Sequence, residues 1–144
     1  MSINKLNSEG YYDPTAYEAM TLVEKEERAL RAFRPIVYIC SPFSGDVEGN
    51  IASAQRFSRF AVDKGYIPIA PHLLFPQFLN DNDPKERQLG LFFGNALMSK
   101  CAEVWVFGST ISAGMDAEIK RAKWKDYRLR YFNENCEEVQ KCVN

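Results

Sequence analysis

Glu118 is the residue whose type and setting most favour chemistry. It lies in EVWVFGSTISAGMDAEIKRA, residues 103–122, which reads as a buried strand, a loop of small residues and a helix with a carboxylate in its opening turns. Gly108, Ser109, Thr110, Ser112 and Gly114 leave room for a ligand to approach the backbone of that loop. The helix N-terminus behind them favours negative charge, whether a phosphate or an ionised glutamate. A carboxylate so placed can serve as a nucleophile. The competing reading is an acid that faces water and merely complements the helix dipole. Asp116, two residues earlier, points away from Glu118 on a helix and reads as a cap or dipole partner.

These residues need elements to carry them. Ile36 to Cys40 is nearly all apolar, as a parallel strand buried on both faces requires. After SPFSGDVEGN, Asn50 is a candidate cap for a helix that turns Ile51, Ala54, Phe57 and Ala61 inward and ends at Lys64, with Gly65 in a left-handed conformation. A second strand, residues 66–70, stops at Pro71. Asp83 and Pro84 form a cap-and-proline start, with Glu86 in the first turn, for a helix burying Leu89, Phe92, Phe93, Ala96 and Leu97. Residues 103–107 form the third strand, with Trp105 and Phe107 in the core, and residues 129–132 a short fourth. A weak terminal helix is expected over residues 134–143. Before all of this, Asp13 and Pro14 open a helix over residues 14–33 with Met20, Val23, Leu30 and Phe33 on its apolar stripe. It reads as a helical arm, residues 1–34, ahead of a domain of residues 35–144.

Alternating strands and helices predict an α/β, three-layer sandwich on a four- to five-stranded parallel sheet with right-handed crossovers. Ligands of such sheets sit beyond the carboxyl ends of the strands, where strand order reverses. Three loops answer to that place: residues 41–50, 71–83 and 108–118. The second holds His72, the sole histidine, whose near-neutral titration could protonate a departing group. A histidine after a strand-ending proline is also an ordinary hydrogen-bonded structural residue. Phe75, Phe78 and Leu79 could wall a pocket there, or simply be core.

Composition excludes several functions. The chain has 144 residues, enough for one core, and a formal charge of −1, so it offers no global attraction for a polynucleotide or an anionic membrane. No apolar run reaches the ~20 residues of a membrane span, and MSINKLNSEG lacks the pattern of a signal peptide, which together predict a cytoplasmic protein. Cys40, Cys101, Cys136 and Cys142 form no CxxC pair, so free thiols and no structural zinc are expected. There is no GxGxxG and no GxxxxGK[ST], hence no dinucleotide or P-loop site and no implied cofactor.

YICSP at the end of the first strand, APH after the second, and CAEVWVFGSTISAGMDAEIKRA around the third resemble, in order and spacing, the nucleoside 2-deoxyribosyltransferase-like superfamily, and within it the DUF4406-type group. The resemblance covers residues 36–132. It implies a flavodoxin-like (Rossmann-like) sheet, cleavage or transfer of an N-glycosidic bond, and a catalytic glutamate at the position of Glu118. It further implies that Tyr38 orients that glutamate, that the partner is a small-molecule nucleoside or nucleotide, and that the protein is a homo-oligomer with sites near subunit contacts. Loss of a nucleobase from C1′ builds oxocarbenium character that an adjacent carboxylate can stabilise and capture.

Two positions depart from the pattern. The superfamily's transferases carry an aspartate six residues before the nucleophile, where this chain has Ser112. Serine there, followed by Gly114, resembles instead the branch that hydrolyses deoxynucleoside 5′-monophosphates, in which the serine helps hold phosphate. Ser41, Ser44 and Gly45 would suit the same anion through hydroxyls and backbone N–H groups, although each is also an ordinary loop residue. Asp46 and Glu48 would repel phosphate if they faced inward, and Arg56 and Arg87 are conceivable counter-charges. Asn95 falls near a family aspartate that handles sugar or base, and an amide cannot transfer a proton. A glycosidic-bond enzyme, a phosphoribohydrolase acting on ribonucleotides and a nucleotide-binding module without turnover therefore all stand as readings.

Overall fold

The computed structural model describes residues 21–28 and 33–140. The chain divides into a unit of residues 1–33 and a unit of residues 34–144. In the first, residues 21–28 are helical (α1), while Phe33 has no regular structure, so the expected helix stops short of it. The Asp13 and Pro14 start, and Met20 and Leu30 of its stripe, lie outside the described residues.

In the second unit, β1 (Ile36–Cys40) and β3 (Glu103–Phe107) lie side by side at the centre of a five-stranded sheet of order β2-β1-β3-β4-β5. β2 (Ile67–Ile69), β1, β3 and β4 (Arg128–Phe132) are parallel, with Tyr38 opposite Val104 and Ile39 opposite Trp105. Alternation along the strands sorts the core into two layers. Val37, Ile39, Trp105, Phe107 and Phe132 face α2 (Val47–Asp63), where Phe57 stacks on Phe107 with ring centroids 4.3 Å apart. Tyr38, Cys40, Val104 and Val106 face the other way, against Met98 of α4 (Pro84–Met98) and against Met115, Ile119 and Ala122 of α5 (Ala113–Trp124). All five residues of β3 are buried, four of them apolar and the fifth, Glu103, hydrogen-bonded to Trp105 and Arg130, and Trp105 and Phe107 are core. This is the flavodoxin-like arrangement, whose switch point lies between β1 and β3.

Several local expectations hold. Asp83 caps α4 by accepting from the Lys85 N–H, and Gly65 ends the α2 region at φ +87°. Others are corrected. The cap of α2 is Asp46, whose carboxylate accepts from the Gly49 N–H; Asn50 lies inside the first turn and donates to the Phe43 and Ser44 carbonyls. α4 is rotated from its expected face: Gly94 and Met98 are buried, Phe93 and Leu97 are half-buried, and Leu89, Phe92 and Ala96 are exposed. Gly94 is where α4 comes close to β1: a Cβ there would stand 3.4 Å from the Tyr38 hydroxyl and 3.9 Å from Pro71.

The expected terminal helix is a hairpin. Asn133 Oδ1 accepts from the N–H groups of Asn135 and Glu137, Cys136 takes φ +62°, and β5 (Glu138–Val139) returns antiparallel to β4. The asparagine side chain mimics a backbone turn and outcompetes helix formation in this polar stretch. The sheet is thus parallel over four strands and antiparallel at its fifth.

Between β2 and α4 the chain forms a short helix, α3 (Pro71–Leu74), and a 3₁₀ turn, Phe75–Gln77. Among the described residues no helix is long and apolar enough to cross a membrane.

Candidate active site

A cavity of about 260 Å³ opens at the β1/β3 switch point, close to the ~300 Å³ lower end of small-molecule sites. Its walls come from the end of β1, the α3 region, α4 and the first turns of α5. Glu118, Tyr38, Ser41, Ser44, His72, Asn95, Ser112 and Gly114 all line it. Gly45 and Gly108 do not: at φ +96° and +106° they are turn formers, the positive φ being what selects glycine.

Glu118 projects from α5 onto the β1 face and keeps part of its surface open to the cavity. Burial pushes its carboxyl up to about 7, against hydrogen bonds from Tyr38 and Cys40 that favour the ionised form. Tyr38 and Cys40 are two residues apart on β1 and so present the same face to α5. Burial first, and then the negative Glu118, hold the Tyr38 phenol well above its ordinary range, so it remains a donor. The arrangement yields a carboxyl group that is half ionised near neutral pH and oriented by a phenol and a thiol. A poised carboxyl of this kind suits nucleophilic or acid–base work on a bound ligand.

Ser112 caps α5, its Oγ accepting from the Met115 N–H at 3.2 Å, and Ala113 and Gly114 follow it in the cavity wall. The loop before it is latched from outside. Glu134 Oε1 accepts from the Ser109 N–H at 2.8 Å and from Ser109 Oγ at 2.6 Å, while Arg56 donates to the Glu134 carbonyl. Arg56 is thereby committed to the β4–β5 hairpin and is not in the cavity wall, whereas Arg87 is. Asp46 is spent on its cap, and neither it nor Glu48 lines the cavity. Asp116 pairs with Lys120 at 2.8 Å on the outer face of α5.

Ser41 Oγ and His72 Nε2 are 2.9 Å apart. Burial lowers His72 to about 4. Such an imidazole carries almost no proton at neutral pH and is a poor general acid there. Phe75 and Leu79 wall the cavity, with Pro71 and Phe43; Phe78 does not reach it and is exposed.

Sequence reasoning missed Cys40, which reads as one more apolar residue of a buried strand. Its spacing of two from Tyr38 was the available sign that both would face the same helix. Gly90 and Gly94 were also missed: they line the cavity four residues apart on α4 and give it its room. Among the described residues Cys40, Cys101 and Cys136 form no disulfide, while Cys142 lies outside them.

The fold is similar to that of a 2-deoxyribosyltransferase from the psychrotolerant bacterium Bacillus psychrosaccharolyticus, characterised as a biocatalyst for the synthesis of antiviral and antitumoral nucleosides. The two share 13% sequence identity over 76% of this chain and 77% of that one, with a TM-score of 0.56. No curated protein matches the sequence. The family model that does match is not the DUF4406-type group but DUF7768, described as a domain of unknown function, over residues 35–132. That match takes in the whole sheet except the last strand and every cavity residue, and the chain belongs to the DUF7768 family.

Proposed function

We propose that the cavity binds a small nucleoside or nucleoside 5′-monophosphate and that Glu118 cleaves its N-glycosidic bond by double displacement. The C1′–N bond breaks as the Glu118 carboxylate closes on C1′, and the base leaves with the bonding electrons and takes up a proton from solvent water. Water or a second base then attacks C1′, gives up a proton to solvent, and releases the Glu118 carboxylate from the ester with the electrons of the C1′–O bond. Water makes the protein a hydrolase; a base makes it a transferase. The observation that carries this reading is the placing of Glu118 at the switch-point cavity, held between Tyr38 and Cys40 with its carboxyl near 7.

The test is a panel of nucleosides and 5′-monophosphates, assayed for free base with wild type and Glu118→Ala. Base release by wild type alone supports the reading. Paired ribo and deoxy substrates separate a ribonucleotide hydrolase from a deoxyribosyl enzyme. A 2-fluoro-substituted substrate should leave a sugar adduct on the peptide that contains Glu118, visible by mass spectrometry.

A second reading is favoured by Asn95, an amide in the cavity where the resemblance places an acid. A nucleotide-binding module that lost turnover predicts ligands that raise the melting temperature of both proteins with no base released.

Self-association belongs to the first reading. Leu89 and Phe92 of α4 are 43% and 67% exposed beside Leu91, which lines the cavity, so an apolar face adjoins the site. Sedimentation should give an oligomer for wild type and a smaller species for Phe92→Asp; a wild-type monomer at high concentration would remove this element.

A further inference from the structure

Ser41 and His72 come from neighbouring strand ends: Ser41 follows β1 and His72 lies in the short helix after β2. Their side chains are 2.9 Å apart, and both line the cavity that holds Glu118. Ser41 is 4% exposed, and the Phe43 ring sits 6.1 Å from the imidazole, tilted against it. A hydroxyl in such a place is a rotor with one proton to give and two lone pairs to offer. An imidazole nitrogen at hydrogen-bond distance fixes the rotor and leaves the other valence of the hydroxyl for whatever fills the cavity. In one tautomer Nε2–H donates to Oγ and the hydroxyl proton is free for the ligand; in the other the hydroxyl donates to Nε2 and its lone pairs are free.

Charge decides what kind of group this pair can meet. Burial alone holds His72 in its neutral form through the neutral range. The titratable and charged groups around the same cavity are Tyr38, Asp81, Glu86, Arg87 and Glu118, and none of them contributes to the displacement of His72. Two uncharged partners offer a hydrogen bond but no countercharge, so this pair meets a sugar hydroxyl or base heteroatom at a smaller desolvation cost than a phosphate.

We propose that His72 is a positioning residue, which holds the Ser41 hydroxyl as a fixed contact for an uncharged hydrogen-bonding group of the bound nucleoside. This rests on the nucleoside reading of the cavity, and it assigns Ser41 to the sugar or base, whereas the sequence alone had offered it to an anion.

Because His72 is the sole histidine of the chain, ring ¹⁵N spectra report on it without ambiguity. In wild type the imidazole stays neutral down to about pH 5 and shows one tautomer. Ser41→Ala, checked for folding by circular dichroism, releases the tautomer into a mixture, and Ser41→Thr, which keeps the hydroxyl, restores it. A midpoint near the ordinary histidine value, or a tautomer ratio indifferent to Ser41→Ala, overturns the positioning role. The ligand arm uses Glu118→Gln with adenosine, 2′-deoxyadenosine, their 5′-monophosphates, adenine, ribose and inorganic phosphate. The nucleosides and monophosphates shift the ring signals alike, and whichever of adenine or ribose reproduces the shift identifies the group contacted. Ser41→Ala should bind the nucleoside about tenfold more weakly, the effect of one lost hydrogen bond. A shift produced by inorganic phosphate alone, or a spectrum that no member of the panel moves, sinks the proposed contact. Turnover does not enter this readout, so failure of wild type to release base counts against the glycosidic reading only.

Discussion

The Tyr38 phenol donates a hydrogen bond to the Glu118 carboxylate across the gap between β1 and α5, and this contact opposes the largest force acting on that carboxyl. Burial favours the neutral acid; the phenol, and with it the Cys40 thiol, favours the anion. The balance near 7 leaves both forms populated at neutral pH. Removing a donor should therefore act first on ionisation and only secondarily on binding.

Tyr38→Phe tests the stronger donor. A hydrogen bond to a charged group contributes about 1.5–3 kcal/mol, so its loss should move the acid limb of the rate profile up by about 1–2 pH units. Base release then falls about five- to fiftyfold at pH 7 and recovers to half or more of its full rate near pH 9. The kcat/KM profile checks this, and infrared titration of the Glu118 carboxyl checks it without turnover. An unmoved midpoint would detach Tyr38 from the nucleophile.

Cys40 allows a prediction of sign. A thiol is a weak donor, so Cys40→Ala should raise the midpoint by less than about one pH unit. Cys40→Ser supplies a better donor from the same strand position and should place the midpoint at or below that of wild type. Shifts in the same direction for both variants would mean that repacking around Met115, whose carbonyl also lies 3.9 Å from the Cys40 sulfur, dominates.

Opposite displacements of Glu118 and His72 give stability a characteristic dependence on pH. Between about 4.5 and 7 the native state keeps a proton on Glu118 that the unfolded chain releases, so this residue makes stability fall as pH rises. Between about 4 and 6.5 the unfolded chain binds a proton that buried His72 refuses, so this residue makes stability rise with pH. Each effect is at most about 3 kcal/mol, and over their shared window they largely cancel. Thermal unfolding of Glu118→Gln should thus show stability lost on acidification below pH 6.5, and His72→Gln should show it lost as pH rises toward 7. Parallel profiles for the two variants would contradict the burial of one of them.

How much of this was visible in the chain depends on how each residue is used. β1, β3 and the Asp83 cap were legible because a run of four or five apolar strand residues and an acid-proline pair each have few alternatives. The seating of α4 was not, because apolar residues occur around its whole circumference and two of the residues it turns to the cavity, Gly90 and Gly94, have no side chains for a pattern to register. The same holds at the site. Glu118 announced itself through the loop and helix that present it, whereas the pairing of Ser41 with His72 joins residues 31 positions apart and exists only once β1 and β2 are neighbours. β5 escaped notice because two exposed residues carry no periodicity, and an asparagine side chain makes its turn.

Those two glycines make the last prediction, and they should separate stability from function. Alanine in place of a mid-helix glycine favours the helix by about 0.5–1 kcal/mol. At position 90 the new Cβ would meet only Leu79 Cδ1 at 3.6 Å, an ordinary contact, so Gly90→Ala should be more stable by about that amount. At position 94 the new Cβ would stand 3.4 Å from the Tyr38 hydroxyl, the group that donates to Glu118. Gly94→Ala should gain less stability than Gly90→Ala and should disturb the Glu118 midpoint as well, which Gly90→Ala should not. Both narrow the cavity, and larger residues such as leucine at either position should abolish ligand protection. Denaturant unfolding and the carboxyl titration, measured on the same two variants, decide between this coupling and a merely steric role; equal midpoints in both would mean that Tyr38 can yield without losing Glu118.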